Sequence, residues 1–139
     1  MSTTKAVILC VDDEEIPRTL RRLVLQKQGY EVVAVASGKE ALEALATTHF
    51  DLVLTDQMMP GMTGTELAKH IKSAMPTLPV VIVSGVDELP TDVALADRFI
   101  SKIEGPEALF NGIAETLDLY QSQERDKGNV KSASGELDC

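Results

Sequence analysis

Short runs of consecutive apolar residues alternate along this chain with longer stretches in which apolar residues recur every three or four positions. The runs are 6–11 (AVILCV), 31–35 (EVVAV), 51–55 (DLVLT), 80–84 (VVIVS) and 98–101 (RFIS). Each has the length of a strand. Continuous rather than alternating apolar residues predict strands buried on both faces, as in a parallel sheet covered by helices. Between the runs, Ile16, Leu20, Leu23 and Val24 fall on one helical face, and Gly29 follows at a C-cap position. Ala41, Leu42, Leu45 and Ala46 repeat the pattern after Ser37-Gly38. Leu67, Ala68 and Ile71 predict a third helix ending before Pro76, and Phe110, Ile113, Ala114 and Leu117 predict the last.

The order is βαβαβαβ, a weak fourth crossover, then βα. Such alternation predicts an α/β fold, with right-handed crossovers and helices on both faces of a doubly wound five-stranded parallel sheet. The fourth crossover, residues 85–97, contains Pro90 and little periodicity, so a short or irregular helix is expected there. Residues 121–139 (QSQERDKGNVKSASGELDC) have few large apolar side chains. They are expected to form a polar C-terminal tail after a domain at 1–120, helical at its start and loose beyond Gly128.

Composition narrows the picture. At 139 residues the chain has room for one domain with its own core. With no Trp, three Phe and two Tyr, that core must be aliphatic. The net charge of −9 argues against a nucleic-acid-binding surface, which needs clustered Lys and Arg. No apolar stretch approaches the ~18 residues that span a bilayer. Cys10 in an apolar run and Cys139 at the end do not form a disulfide framework, so free thiols in a reducing, cytoplasmic setting are expected.

Position gives the acidic residues their meaning. In an open parallel sheet, ligands bind outside the carboxyl ends of the strands. The first predicted strand ends in Val11-Asp12-Asp13-Glu14-Glu15, the third in Thr55-Asp56, the fourth in Ser84-Gly85 and the fifth in Ser101-Lys102. Clustered carboxylates repel one another unless a cation or proton compensates. An oxygen-only set favours a hard ion, Mg²⁺ above all. A carboxylate is also a competent nucleophile toward phosphorus. An ammonium such as Lys102 can neutralise a transferring phosphoryl group, and the Ser84 hydroxyl can sense its arrival. Singly, each residue has a plainer use. Asp13 could cap a helix, Asp56 and Ser84-Gly85 could form turns, and Lys102 could be a solvated lysine. Convergence of four separated segments on one sheet edge favours the chemical reading.

These motifs resemble the receiver domains of two-component response regulators: Val-Asp-Asp-Glu at 11–14, Asp56 followed by Met59-Pro60-Gly61-Met62-Thr63-Gly64, Ser84-Gly85, and Lys102 with Phe99 three residues before it. The resemblance covers roughly residues 5–120. It implies the flavodoxin-like strand order 2-1-3-4-5 and a phosphorylation-activated switch. Asp56 would accept a phosphoryl group from a histidine kinase or histidine phosphotransfer protein. Asp13, Asp56 and the backbone carbonyl of Met58 would bind Mg²⁺ directly, and Asp12 mostly through water. Lys102 would pair with the phosphoryl group. Ser84 would turn toward it, and Phe99 would move inward as Ser84 moves. Such a switch promotes its own phosphorylation and dephosphorylation and has no separate turnover substrate. Its output would run through contact with a downstream protein, as a monomer or weak dimer, without a membrane or direct nucleic acid binding.

Two departures from the family carry expectations. Ile103 follows the lysine where the family usually has Pro, often after a cis bond. A cis bond before a non-proline residue costs ~2.5–4 kcal/mol, so a trans peptide or a rebuilt loop is expected. The stretch from Ser84 to Phe99 is also shorter than usual, which predicts a truncated fourth helix. Two other readings compete. One is a receiver-like binding module that has lost the chemistry. The other is an enzyme or flavoprotein on the same fold. A flavin phosphate needs a Ser/Thr/Gly-rich loop after the first strand and would be repelled by Asp12-Asp13-Glu14-Glu15, and an aspartyl phosphohydrolase usually wants a second acid where Met58 stands.

Overall fold

The computed structural model describes residues 6–85 and 96–137, with side chains through residue 121. Five strands form one parallel sheet in the order β2-β1-β3-β4-β5: β1 (Val7–Val11), β2 (Glu31–Val35), β3 (Leu52–Asp56), β4 (Val80–Ser84) and β5 (Arg98–Ser101). The helices among the described residues are α1 (Glu15–Lys27), α2 (Gly38–Thr47), α3 (Gly64–Ala74) and α4 (Pro106–Leu137). Every predicted strand is present, with boundaries shifted by at most one residue. The short helix expected within residues 85–97 falls on 86–95, which lie outside the described residues, so that expectation is not addressed.

Strand alternation divides the core in two. Leu9, Val11, Val53, Val80 and Ile82 pack against Ala41 and Leu45 of α2 and Leu67, Ala68 and Ile71 of α3. Ile8, Cys10, Leu52, Leu54, Val81, Val83 and Ile100 face Leu25 of α1 and Leu109, Ile113 and Leu117 of α4. The central strands β3 and β4 are buried at every position, which is why they read as unbroken apolar runs. Each fully buried Leu or Ile contributes roughly 1.5–3 kcal/mol. Burial pushes the Cys10 thiol up to about 11, so this cysteine behaves as a small hydrophobe. Among the described residues, no helix is long and apolar enough to cross a membrane.

The helix ends follow local signals. The Ser37 side chain accepts from Glu40 N at 3.1 Å and starts α2. Thr63 and Glu66 form a reciprocal capping box that starts α3. Gly29, at φ 103°, turns the chain out of α1.

Two expectations are corrected. The stripe of Ile16, Leu20 and Leu23 does not face the core, for these residues are 73%, 56% and 49% exposed. Helix α1 buries Leu25 instead and turns Arg18 and Arg21 toward Asp12. The two arginines give the buried Asp12 the polar partners that an apolar face could not. The chain is also not loose beyond Gly128, because the α4 backbone stays helical to Leu137. Each glycine costs a helix only about 1 kcal/mol, and no proline interrupts this one after Pro106.

At the end of the sheet opposite the carboxyl edge, four segments are tied together. Lys72 of α3 pairs with Asp97 Oδ2 at 2.7 Å. Its Nζ also donates to the Leu78 carbonyl and to the Tyr120 hydroxyl, each at 2.9 Å. Asp97 accepts from Val80 N and from the Tyr120 hydroxyl, so α3, the start of β4, the approach to β5 and α4 share one polar junction.

Candidate functional site at the carboxyl edge

The parallel register brings the ends of β1, β3 and β4 level, since Val11 lies beside Thr55 and Asp56 beside Val83. Asp12, one residue beyond β1, and Asp56, the last residue of β3, therefore meet at one edge. Each of Asp12, Asp13 and Asp56 offers a carboxylate oxygen within 4.8 Å of the others. Asp12 and Asp56 are 1% and 5% exposed, and Asp13 is less buried. The N-cap of α1 is Glu14, with no side-chain cap, so the capping use of Asp13 is not realised.

Asp12 is held from all sides. Its N–H donates to the Val35 carbonyl at 3.2 Å, which ties it to β2. Its Oδ1 accepts from Glu14 N at 3.0 Å, and its Oδ2 pairs with Arg21 Nη1 at 2.8 Å. Arg18 Nη1 donates to its backbone carbonyl at 2.9 Å.

Lys102 reaches Asp56 from the far side of the sheet, with Nζ 2.8 Å from Oδ1. That oxygen is fully buried, and the ammonium is its compensating charge. Burial pushes the Asp56 carboxyl above the usual carboxylate range, the Lys102 hydrogen bond pulls it back, and the Asp12 charge pushes it up again. A buried carboxylate raised in this way, beside two others and without ring nitrogen or thiolate among the donors, suits a hard oxygen-seeking dication such as Mg²⁺.

The departure at Ile103 does not displace the lysine. Among the described residues there is no cis peptide, so the trans alternative holds. Lys102–Glu104 form a 3₁₀ turn in which Ser101 Oγ accepts from Ile103 N at 3.3 Å. Ile103 is 75% exposed and needs no pocket. Gly105, at φ 86°, then leads into α4 at Pro106.

Ser84 is buried and lies beside Ser101 in the register. Phe99 pairs with Ile82 and is half-buried against the α2–α3 side of the core. By strand alternation Ser84 lies on that same side, two residues beyond Ile82. The Met58 side chain is 53% exposed, so only its backbone is suited to face the pocket.

Sequence reading did not foresee what supports this edge. Arg18 and Arg21 carry one signal in the sequence, the three-residue spacing that puts both on one face of α1. Gln57 is buried, and its Oε1 accepts from Thr65 N at 3.0 Å and from Thr65 Oγ1 at 2.9 Å. The N-terminus of α3 is thereby bonded to the residue after Asp56. Gly64 N also donates to the Gln57 carbonyl at 2.9 Å, and a Cβ at Gly64 would lie 2.5 Å from the Asp56 carbonyl oxygen. Because that neighbour is backbone, Gly64→Ala must push α3 away from β3. A loss of roughly 3 kcal/mol is expected, at the upper end for overpacking. Urea unfolding with an unchanged slope and a lowered midpoint would register it, and an unchanged midpoint would refute the close contact.

A family model for the response regulator receiver domain matches residues 8–114. Transcriptional regulatory protein GlrR of Escherichia coli (strain K12) is 34% identical over 122 residues, covering 85% of this chain and 28% of that protein. Two-component response regulator ORR11 of Oryza sativa subsp. indica is 39% identical over 90 residues, covering 63% of this chain and 60% of that protein. This chain thus spans little more than a quarter of the length of GlrR. Among solved structures, response regulator protein TrrA from Thermotoga maritima, in complex with Mg²⁺-BeF, superposes with a TM-score of 0.76 at 30% identity, covering 81% of this chain and 99% of that one. A response regulator receiver domain protein from Clostridium thermocellum gives a TM-score of 0.79 at 25% identity, covering 85% and 98%. The matched residues run from β1 into α4 and contain the carboxylate cluster, Ser84 and Lys102. The chain belongs to the family of response regulator receiver domains of two-component systems.

Proposed function

We propose that this chain is a phosphorylation-activated switch whose acceptor is Asp56. The observation that carries the reading is the buried Asp56 carboxylate at the end of β3, with the Lys102 ammonium 2.8 Å away and two further carboxylates in reach. A carboxylate oxygen of Asp56 attacks the phosphorus of a phosphohistidine on a histidine kinase or phosphotransfer protein. The P–N bond breaks, the imidazole leaves and takes up a proton, and an aspartyl phosphate remains. Lys102 exchanges its carboxylate partner for a phosphoryl oxygen and neutralises charge that grows in the transition state. Ser84 donates to another phosphoryl oxygen, and Phe99 follows it inward. Asp13, Asp56 and the Met58 carbonyl would hold Mg²⁺, with Asp12 acting through water. When bound, that ion supplies charge neutralisation at the phosphoryl oxygens. The Mg²⁺-BeF complex of TrrA supports the assignment. Water attacking in line removes the phosphoryl group, so the chain resets itself and turns over no separate substrate.

The output is proposed to run through protein contact, in the cytoplasm, with residues 1–120 as the switch and 121–139 as a polar extension. The receiver-like module without chemistry is not favoured, since Lys102 meets Asp56 despite Ile103.

Radiolabelled acetyl phosphate tests the reading. Label should enter to about one per chain, require Mg²⁺, and be released by hydroxylamine, as an acyl phosphate is. Absence of label at millimolar Mg²⁺, or label that resists hydroxylamine, would refute it.

A further inference from the structure

The proposed chemistry employs four charged groups at the carboxyl edge, Asp12, Asp13, Asp56 and Lys102. It leaves Arg21, two turns along α1, without a part. Its side chain is 14% exposed, and Nη1 lies 2.8 Å from Asp12 Oδ2. The helix gives up burial of Ile16, Leu20 and Leu23 in the orientation that brings this guanidinium inward. Asp12, Asp13 and Asp56 carry three negative charges between them, and Lys102 answers one. Arg21 answers a second, which leaves the edge only one charge short of neutral without any dication.

We infer that Arg21 is the built-in counter-charge of the acidic pocket, competing with Mg²⁺ for Asp12 and holding the affinity of the pocket for the dication down. The inference rests on the Mg²⁺ reading above and deepens it. Two physical effects act in the same direction. A fixed positive charge beside the pocket repels an entering dication. The guanidinium also occupies Asp12 Oδ2, an oxygen that would otherwise accept from metal-bound water. Arg21 therefore keeps the pocket closer to charge balance between metal-binding events. Arg18 binds the Asp12 backbone carbonyl, so occupation of the carboxylate oxygen belongs to Arg21 alone of the two arginines.

A plainer alternative is that Arg21 only fastens α1 to β1. Isothermal titration of metal-free protein with MgCl₂ separates the two, because a fastener would not set metal affinity. Arg21→Gln keeps a hydrogen-bond donor and removes the charge, and it should bind Mg²⁺ about tenfold more tightly than wild type. Arg21→Lys keeps the charge and should stay within about twofold of wild type. Equal or weaker binding by Arg21→Gln, with wild type binding normally, would overturn the inference and leave the Mg²⁺ reading intact. No saturable binding by wild type would overturn both. Where Arg21→Gln does not fold in EDTA, wild type alone decides. The Arg21 guanidinium N–H resonance should shift along the Mg²⁺ titration with the same midpoint as the calorimetry, and a resonance that stays put would overturn the inference.

Discussion

Asp56→Asn is expected to take up no phosphoryl group from acetyl phosphate and, in EDTA, to melt at a higher temperature than wild type. The first effect follows from chemistry, because a carboxamide is not a nucleophile toward phosphorus under these conditions. The second follows from burial. The folded state holds the Asp56 carboxyl above its ordinary range, chiefly because the charged form is desolvated. As pH rises through the ordinary carboxylate range, the unfolded chain ionises first and stability falls. The fall continues until pH passes the raised folded value, and the loss persists above it. At neutral pH the wild-type protein thus carries a penalty that asparagine does not. The melting temperature should rise by roughly 3 °C at neutral pH, and the gap should shrink toward pH 4. A variant that still takes up label would remove Asp56 from the acceptor role. A variant that melts lower at neutral pH would contradict the electrostatic account of the site.

Lys102→Ala is expected to slow phosphoryl uptake by about 10²–10³-fold, the usual cost of losing one preorganised donor from a site of developing charge. Nothing else described at this edge can replace it, since Arg21 is committed to Asp12. The same substitution removes the one group that pulls the Asp56 carboxyl strongly back down. Metal-free Lys102→Ala should therefore be less stable than wild type at neutral pH and recover as pH falls toward the carboxyl range. The exposure of Lys102, 36%, keeps this stability change modest beside the kinetic one. Single-turnover labelling within threefold of wild type would show that the ammonium does not act on the phosphoryl group.

Much of this was legible from the chain. The runs at 6–11, 51–55 and 80–84 named the strands because residues buried on both faces have no polar alternation to obscure them. With the strands placed, the carboxyl-edge rule puts Asp12, Asp13, Asp56, Ser84 and Lys102 at one edge from the sequence alone. The orientation of α1 was not legible. Periodicity locates an apolar stripe but cannot weigh it against a buried carboxylate on a neighbouring strand, and at Asp12 the carboxylate prevailed. Arg21 stayed hidden for that reason. So did the junction of Lys72, Asp97 and Tyr120, three residues from distant parts of the chain that only tertiary packing brings together. The extent of α4 was misread because composition alone underrates a helix that is already nucleated by Leu109, Ile113 and Leu117 against the sheet.

The Lys72–Asp97–Tyr120 junction has a consequence for how the molecule breathes. It fastens α3, the strand entrances and α4 at the end of the sheet away from the carboxylates. At the carboxyl edge, β5 is joined to β3 by the Lys102–Asp56 ion pair, which the proposed phosphorylation would exchange. Amide protons near the junction should thus open to solvent only on global unfolding, while those just after Ser101 open locally. The strands behave like tines set in a common handle: their bases keep the register, and their tips are free to rearrange around a new charge.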